Sequence, residues 1–305
     1  MREFELLSRI FEANADLPAS VTIPPGDDMA GVEIGGRTFL IAVDQVADGV
    51  HVNLAGTSLD RVAWKLVVRN LSDVAAMAAR PLASVATACF PRGFGDARAS
   101  ALTEALRRHA AAFGCPLIGG DVSIWGQGLL LTMTVLADPA GVAPVRRDGA
   151  RVGDGVFVTG RLGAAWDAEG GGPHLRAEPR VEVARALATT EGLALHAMID
   201  ISDGLAQDLG HVCRASNVAG ELIEDRLPLR DGASVDNALF DGEDYELCFT
   251  ASGEAPAEAA GVAVSRVGEI VASADGATGG AVSLIDAAGE RRVLTGGGWE
   301  HKDRP

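Results

Sequence analysis

Short apolar runs alternate with turns rich in glycine and proline along most of the chain, which predicts a mixed α/β protein. Runs of β-branched and apolar residues predict strands at 38–46, 83–90, 116–118, 129–136, 155–159, 219–223, 263–270 and 282–285. Apolar residues at helical spacing predict helices at 4–11, 97–113 and 181–189. A longer helix should begin after Ser58, its N-cap, and end near residue 79.

The segment MIDISDGLAQDLGH, residues 198–211, changes from a strand pattern to a helix pattern within a few residues. Asp200 and Asp203 fall at the resulting turn. Such turns hold ligands in α/β folds because the helix N-terminus offers free N–H groups and the positive end of its dipole. Taken alone, the turn is better explained by Ser202 or Asp203 as an ordinary N-cap.

Acidic residues beside glycines recur at the ends of other apolar runs, and helix capping does not explain the whole set. They lie in Gly26-Asp27-Asp28, Val43-Asp44, Ser72-Asp73, Gly119-Gly120-Asp121 and Gly242-Glu243-Asp244. Three of them could instead have an ordinary structural role. Asp73 could pair with Arg69 one helical turn away, Gly119-Gly120-Asp121 could be a turn, and Glu243 could lie in an exposed acidic turn.

A segment rich in proline, glycine and arginine, residues 138–153, divides the 305-residue chain into two parts of domain size. We expect an N-terminal domain over 1–138 and a C-terminal domain over 139–305. The glycine-rich stretch 160–173 is a candidate mobile loop.

The net charge of −16 argues against nucleic acid or an anionic membrane as a partner, because both attract basic surfaces. The apolar runs are too short to cross a bilayer, and the first residues lack a signal-peptide pattern. We therefore expect a cytoplasmic protein. The four cysteines show neither a CxxC pair nor metal-ligand spacing, so no disulfide is expected.

The 26 basic residues include only two lysines, Lys65 and Lys302, and neither has a P-loop or protein-kinase context. Acid pairs could serve glycoside hydrolysis, but an aromatic content of 5% offers few sugar-binding residues. Ligand spacing for an EF-hand is absent as well. Clustered aspartates, glycine loops and isolated arginines instead favour Mg-dependent phosphoryl transfer, because Mg²⁺ bridges carboxylates and phosphates.

Nine motifs, in order and spread over almost the whole chain, closely resemble those of thiamine-monophosphate kinases. They are GDD (26–28), VDQVADGVH (43–51), NLSDVAAM (70–77), GGDVS (119–123), RRDGARVGDGVFVTG (146–160), HLRAEPR (174–180), IDISDGLAQDLGH (199–211), GEDYELCFT (242–250) and GWEH (298–301).

The resemblance implies the two-domain α/β (α+β) fold of aminoimidazole ribonucleotide synthetase-like proteins. In that fold the N-terminal ATP/Mg-binding domain joins a partner's in a β-barrel of a homodimer, and a C-terminal α/β domain packs on it. The implied reaction transfers the γ-phosphate of ATP to thiamine monophosphate, giving thiamine diphosphate and ADP, with several Mg²⁺ ions and no phosphoenzyme. Because the acceptor is already an ionised phosphate oxygen, we expect no general base.

The resemblance also implies roles for individual residues. It makes Asp28, Asp44, Asp73, Asp121, Asp200 and Asp203 the metal ligands. ATP would contact Gly120, Asp121, Arg147 and Ser202. The thiamine phosphate would contact His51, Glu243 and Trp299. The glycines before Trp299 alone leave a flexible tail and a flap equally open, and the resemblance favours the flap.

Several residues depart from the family pattern. Val43 replaces a hydroxyl residue and Arg69 an apolar one, while Asp241 stands in place of a glycine; Ala42, Asp48 and Pro25 also differ. Two alternatives therefore stay open. One is another ATP-using enzyme of the superfamily, such as an aminoimidazole ribonucleotide synthetase relative or a selenophosphate synthetase, although the first cysteine, Cys89, comes late for the latter. The other is a nucleotide or thiamine phosphate binding protein without turnover.

Overall fold

A computed structural model of the chain describes residues 6–7, 9–11, 14, 16–167, 170–274, 279–295 and 297–299. Residues 6–7 and 9–11 are helical, in agreement with the helix predicted at 4–11, whose other positions lie outside the described residues. None of the helices within these ranges has the length and apolar character that a bilayer crossing needs.

Six strands form the N-terminal sheet, in the spatial order β1-β2-β3-β6-β4-β5. They are β1 (Val21–Ile23), β2 (Ala30–Ile34), β3 (Arg37–Ala47), β4 (Arg80–Pro91), β5 (Leu117–Trp125) and β6 (Leu130–Asp138). Strands β4 and β5 run parallel, and the other neighbouring pairs are antiparallel. Strand β5 is longer than the strand predicted at 116–118 and includes the glycines and aspartate that were expected to follow it.

The C-terminal sheet contains eight strands, with β14-β13-β9-β12-β7-β10-β8 as its main path and β11 paired with β12. They are β7 (Gly155–Thr159), β8 (Leu193–Asp200), β9 (Ala219–Ile223), β10 (Leu247–Gly253), β11 (Glu258–Ala259), β12 (Val262–Val271), β13 (Val282–Ile285) and β14 (Arg291–Val293). All strands of the N-terminal sheet end by residue 138, and all strands of the C-terminal sheet begin after it. The domain boundary at this position remains a prediction.

Beyond the helical residues near the N-terminus, five α-helices accompany the sheets in the described part of the chain. They are α1 (Leu59–Ala76), α2 (Asp96–Ala112), α3 (Val181–Ala188), α4 (Leu205–Ala215) and α5 (Val235–Phe240). Ser58 is the N-cap of α1, since its hydroxyl accepts a hydrogen bond from the Arg61 N–H at 3.3 Å. Helix α1 ends three residues earlier than predicted because Ala78 adopts a left-handed backbone with φ of 51°.

Helix α1 packs on strands of both sheets. Its apolar residues share one buried core with the inner face of the N-terminal sheet and with Phe157, Met198 and Phe249 of the C-terminal sheet. The opposite face of the C-terminal sheet, including Val156 and Ile199, forms a second core with α4 and α5. Because side chains alternate between the two faces of a sheet, the C-terminal sheet contributes to a different core on each face. Helix α1 belongs to the core that both halves of the chain form.

The other face of the N-terminal sheet is exposed and partly apolar. Ile41, Val43 and Val85 leave between 37% and 60% of their surface accessible, whereas Leu40, Ala42 and Val46 of the same strand region are buried. Exposed apolar surface of this kind marks an interaction site in many soluble proteins.

Candidate active site

Three aspartates from distant parts of the sequence form an acidic cluster where α1 meets the end of β8. Asp28 precedes β2, Asp73 lies in α1, and Asp200 is the last residue of β8. A carboxylate oxygen from each lies within 4.8 Å of the other two. The Ser72 hydroxyl donates a hydrogen bond to Asp200 Oδ2 at 2.6 Å. The alternative pairing of Asp73 with Arg69 is not formed, because Arg69 bonds Asp44 and Glu243 instead.

The cluster carries more negative charge than its surroundings neutralise. Burial, followed by repulsion from Asp28, raises the pKa of Asp200 to about 7. Burial is also the largest cause of the raised pKa of Asp73, and Asp44 and Asp200 add to it. Arg147 supplies a counter-charge by donating to both oxygens of Asp28, at 2.6 and 3.1 Å. Closely spaced carboxylates with surplus charge fit a hard divalent cation such as Mg²⁺.

The predicted strand-to-helix turn is present, but its amides are not free. The N–H groups of Ser202, Asp203 and Gly204 all donate to Asp208 Oδ2, at 3.0 to 3.1 Å. The N-cap of α4 is Gly204, which has no side-chain cap, so capping by Ser202 or Asp203 is wrong. The buried Asp208 thus caps its own helix from the first turn, and it fixes the backbone of the turn that carries Asp203.

We expect Asp208→Ala to lower the free energy of unfolding by about 3 kcal/mol, because three amides in a packed loop would lose their acceptor. This corresponds to a drop of about 6–12 °C in Tm for a domain of this size. Asp208→Asn keeps one acceptor oxygen and should cost markedly less. Thermal unfolding followed by circular dichroism would measure both, and equal losses would contradict the proposed role of the carboxylate.

Asp203 and the C-terminal segment contact each other through the backbone. The Trp299 N–H donates to the Asp203 carbonyl at 3.0 Å, and the Trp299 carbonyl accepts from Gln207 Nε2 at 3.0 Å. Trp299 as a whole residue remains 46% exposed. Residue 299 is therefore docked on the turn that carries Asp203, while contact of its indole with a substrate stays a prediction.

The loop of residues 242–246 lies against the turn that carries Asp203. The Glu243 N–H donates to the Ser202 carbonyl at 2.7 Å, and the Tyr245 N–H donates to the Ile201 carbonyl at 2.9 Å. Glu243 and Tyr245 adopt left-handed backbones, with φ of 55° and 52°, a conformation that is uncommon for non-glycine residues. Glu243 is 7% exposed, so the expectation of an exposed acidic turn is wrong.

Glu243 belongs to a buried network of charged groups that joins α1 to the C-terminal half. Lys65 Nζ lies 2.6 Å from Glu243 Oε2, 2.6 Å from His174 Nδ1 and 2.6 Å from the His51 carbonyl oxygen. It also lies 4.6 Å from the ring centre of Trp166, which stacks on His174. Lys65 is completely buried, which a lysine tolerates only with such partners.

Burial and charge act in opposite directions on the two main members of this network. Burial alone would raise the pKa of Glu243, but hydrogen bonding with His174 and the charges of Lys65 and Arg69 lower it to about 2. Burial lowers the pKa of Lys65 to about 8, against the opposing charge of Glu243. Both groups are therefore ionised at neutral pH and form a buried ion pair.

His51, a predicted substrate contact, is buried at 3% exposure in the turn that follows β3. Its Nδ1 accepts a hydrogen bond from the Ala47 N–H at 3.0 Å, and its carbonyl accepts from Lys65. Asp44, a predicted metal ligand in β3, lies outside the three-aspartate cluster and pairs with Arg69 at 3.2 Å.

Gly120 and Asp121 lie within the edge strand β5, so their interpretation as a turn or loop is wrong. A Cβ at Gly120 would collide with the carbonyl oxygen of Ala86 in the neighbouring strand. Glycine is required here because the two strands approach each other closely. Asp121 pairs with Thr87, whose side chain is exposed on the outer face of the sheet. Asp44 points to the opposite, inner face, so one chain does not bring Asp121 to the acidic cluster.

Sequence reasoning missed Lys65, His174, Tyr245 and Asp208 as parts of the site, and it noted Arg69 only as a departure from the family pattern. The one available signal for Lys65 was a lysine inside the apolar run VAWKLVV of a predicted buried helix. Asp208 gave no such signal, because Ser202 and Asp203 were both available as N-cap candidates for the same helix.

Two sheets sharing the helix α1, with an acidic cluster at its end, define a two-domain protein of the AIR synthase related class. The family model for the N-terminal domain of AIR synthase related proteins matches residues 26–137, and that for the C-terminal domain matches residues 152–280.

Curated relatives narrow the assignment. The thiamine-monophosphate kinase of Rhodopirellula baltica is 34% identical over 276 residues, 82% of this chain and 84% of that protein. The enzyme of Mycobacterium tuberculosis is 32% identical, over 84% of this chain and 82% of its own length. The chain therefore belongs to the thiamine-monophosphate kinase family and is an enzyme.

Solved structures agree with this family and fold. The structure of AaThiL complexed with AMPPCP and TMP matches 99% of this chain and 97% of its own, with a TM-score of 0.80 at 25% sequence identity. The thiamine-monophosphate kinase from Stenotrophomonas maltophilia matches 92% of this chain and 96% of its own, with a TM-score of 0.69 at 29% identity.

Proposed function

We propose that this protein transfers the γ-phosphate of ATP to thiamine monophosphate in a Mg-dependent, direct in-line reaction, forming thiamine diphosphate and ADP. The curated relatives carry the name of this activity, and AaThiL was solved with AMPPCP and TMP, which we take as an ATP analogue and the acceptor. The observation that carries the proposal is the cluster of Asp28, Asp73 and Asp200. Because ATP is the donor, we expect the enzyme to act in the cytoplasm.

Asp28, Asp73 and Asp200 would hold Mg²⁺. We keep Asp203 as a proposed ligand as well, although its carboxylate lies with the side chains of Asp208 and His211 and outside that cluster. When bound, Mg²⁺ would neutralise the repulsion between the phosphate groups of donor and acceptor. ATP would contact Gly120, Arg147 and Ser202. The acceptor, thiamine monophosphate, would contact His51, Glu243 and Trp299. The protein's own contribution is to orient two phosphates for in-line attack, and the acceptor oxygen needs no base.

A coupled assay for ADP tests this proposal directly. Purified protein, ATP, excess Mg²⁺ and thiamine monophosphate should yield ADP and thiamine diphosphate in equal amounts, with the diphosphate identified by chromatography. ADP formation with another acceptor, but not with thiamine monophosphate, would favour a different ATP-using enzyme of the superfamily. Mg-dependent stabilisation by ATP without any ADP would favour a binding protein, an alternative that the commitment of Asp44 to Arg69 keeps open.

We propose a homodimer in which the exposed face of the N-terminal sheet is covered by a second copy. The exposure of Ile41, Val43 and Val85 on that face supports it. The position of Asp121 supports it as well, because this carboxylate lies on the same face, away from the acidic cluster of its own chain. A role for Asp121 as a metal ligand would then involve the cluster of the partner.

Val85→Asp is expected to convert the dimer into monomers, because a carboxylate buried at the centre of an apolar interface has no compensating partner. Val293→Asp is a matched control, since Val293 is 55% exposed on β14 of the other sheet. Sedimentation velocity measures both. A wild-type monomer, or a Val85→Asp protein that remains dimeric, would contradict the proposed interface.

A further inference from the structure

Arg69 lies between the acidic cluster and the buried network around Glu243. Its Nη2 lies 3.2 Å from Asp44 Oδ1, and its Nη1 lies 3.2 Å from Glu243 Oε1. The same Nη1 donates to the Tyr245 hydroxyl at 3.1 Å. The guanidinium group is thus bonded to carboxylates from both halves of the chain.

The side chain of Arg69 is enclosed rather than free to rotate in solvent. Only 16% of it is exposed, and its Nε is buried without a hydrogen-bond partner among the described residues. A buried N–H without an acceptor is unfavourable, so the hydrogen bonds of Arg69 are incomplete. The ion pairs with Asp44 and Glu243 must therefore hold the guanidinium group in place.

Asp44 is close to the acidic cluster but is not a member of it. The Asp44 N–H donates to Asn70 Oδ1 at 3.2 Å, and Asn70 lies one helical turn before Asp73 in α1. Among the described residues, the carboxylate oxygens that lie within 4.8 Å of one another at this cluster are those of Asp28, Asp73 and Asp200. Asp44 is not one of them. The carboxylate of Asp44 is turned to Arg69.

We propose that the positively charged guanidinium group of Arg69 occupies the place beside Asp44 and prevents that carboxylate from binding a divalent metal ion. Resident metal is then held through Asp28, Asp73 and Asp200. A divalent ion on Asp44 would stand within a few ångströms of a fixed positive charge, and the two would repel each other. The neighbouring Val43 offers no oxygen that could compensate. This inference rests on the metal site of the proposed function and assigns its ligands.

Mn²⁺ binding to the full-length protein, in the absence of nucleotide, tests the inference without using turnover. Isothermal titration and the electron paramagnetic resonance signal of free Mn²⁺ give affinity and stoichiometry. Asp73→Asn should raise the Mn²⁺ Kd at least tenfold, whereas Asp44→Asn should change it less than twofold. Equal weakening by the two substitutions would overturn the inference.

Removing the guanidinium group should make Asp44 available. Arg69→Met is expected to bind one additional Mn²⁺ per chain, and the double variant Arg69→Met with Asp44→Asn should lose that extra ion. Arg69→Lys, which keeps the charge, should retain the wild-type stoichiometry. An Arg69→Met protein that is folded by circular dichroism and binds no extra Mn²⁺ would overturn the inference.

If Arg69→Met does not fold, the comparison of Asp44→Asn with Asp73→Asn still decides the matter. Failure of the proposed function is separately visible. A protein that shows these Mn²⁺ results but forms no thiamine diphosphate would refute the reaction and leave the role of Arg69 standing.

Discussion

Asp73→Asn is expected to reduce the formation of thiamine diphosphate by about 10³-fold, because a metal-bound carboxylate of the transfer site would be lost. A loss of about 4 kcal/mol of transition-state stabilisation corresponds to this factor. The same change should not destabilise the metal-free fold. The raised pKa of Asp73 means that its ionised form is disfavoured in the folded state, so a neutral amide of the same shape relieves repulsion.

For Asp73→Asn, the Tm without metal and the stabilisation by Mg²⁺ should therefore change in opposite directions. The Tm without metal should rise by about 2–4 °C if about 1 kcal/mol of repulsion is relieved, while the stabilisation by Mg²⁺ should disappear. Asp236→Asn provides a control, because Asp236 has a side chain that is 71% exposed. Full activity of Asp73→Asn at limiting Mg²⁺ would exclude Asp73 as a ligand.

Lys65→Met is expected to lower the free energy of unfolding by about 3–5 kcal/mol, because it leaves the buried Glu243 carboxylate without its nearest cation. Methionine preserves most of the volume, so a cavity contributes little. The expected drop in Tm is about 10 °C or more. Arg107→Met is the matched contrast, since the Arg107–Glu104 pair is exposed on α2 and should contribute less than about 1 kcal/mol.

A double-mutant cycle separates the ion pair from general disruption of the core. If the unpaired charge is what destabilises Lys65→Met, then Lys65→Met combined with Glu243→Gln should be more stable than Lys65→Met alone. Denaturant unfolding gives the four free energies. Strictly additive losses would show that Lys65 contributes through packing and not through its charge on Glu243.

The fold could be predicted from the sequence where local signals and tertiary structure agree. The change of period at Asp200 placed the end of β8 and the start of α4 correctly, because an apolar run and an amphipathic helix meet there. The segment around Gly120 was predicted to leave its strand, since two glycines before an acid are typical of turns and of loops that approach a ligand. In the structure, pairing with β4 continues through Gly120 because its missing side chain accommodates the Ala86 carbonyl.

The candidate site divides in the same way. Asp28, Asp73 and Asp200 could be predicted only as members of a wider set of acids at the ends of apolar runs, which also included Asp44, Asp121 and Asp203. Their exact partners could not. Lys65 and Glu243 are 178 positions apart, and nothing local in either segment indicates that they meet. The outward position of Asp121 depends on strand register, which the residues around it do not specify.

The position of α1 between the two sheets limits how the chain can be recombined with its relatives. A crossover in the linker at 139–151 would separate the two matched domains at a natural sequence boundary. It would also give Phe157, Met198 and Phe249 a foreign helix to pack on, and Glu243 a foreign lysine position. Chimaeric enzymes should therefore retain stability only when residues 59–76 come from the same parent as the C-terminal half.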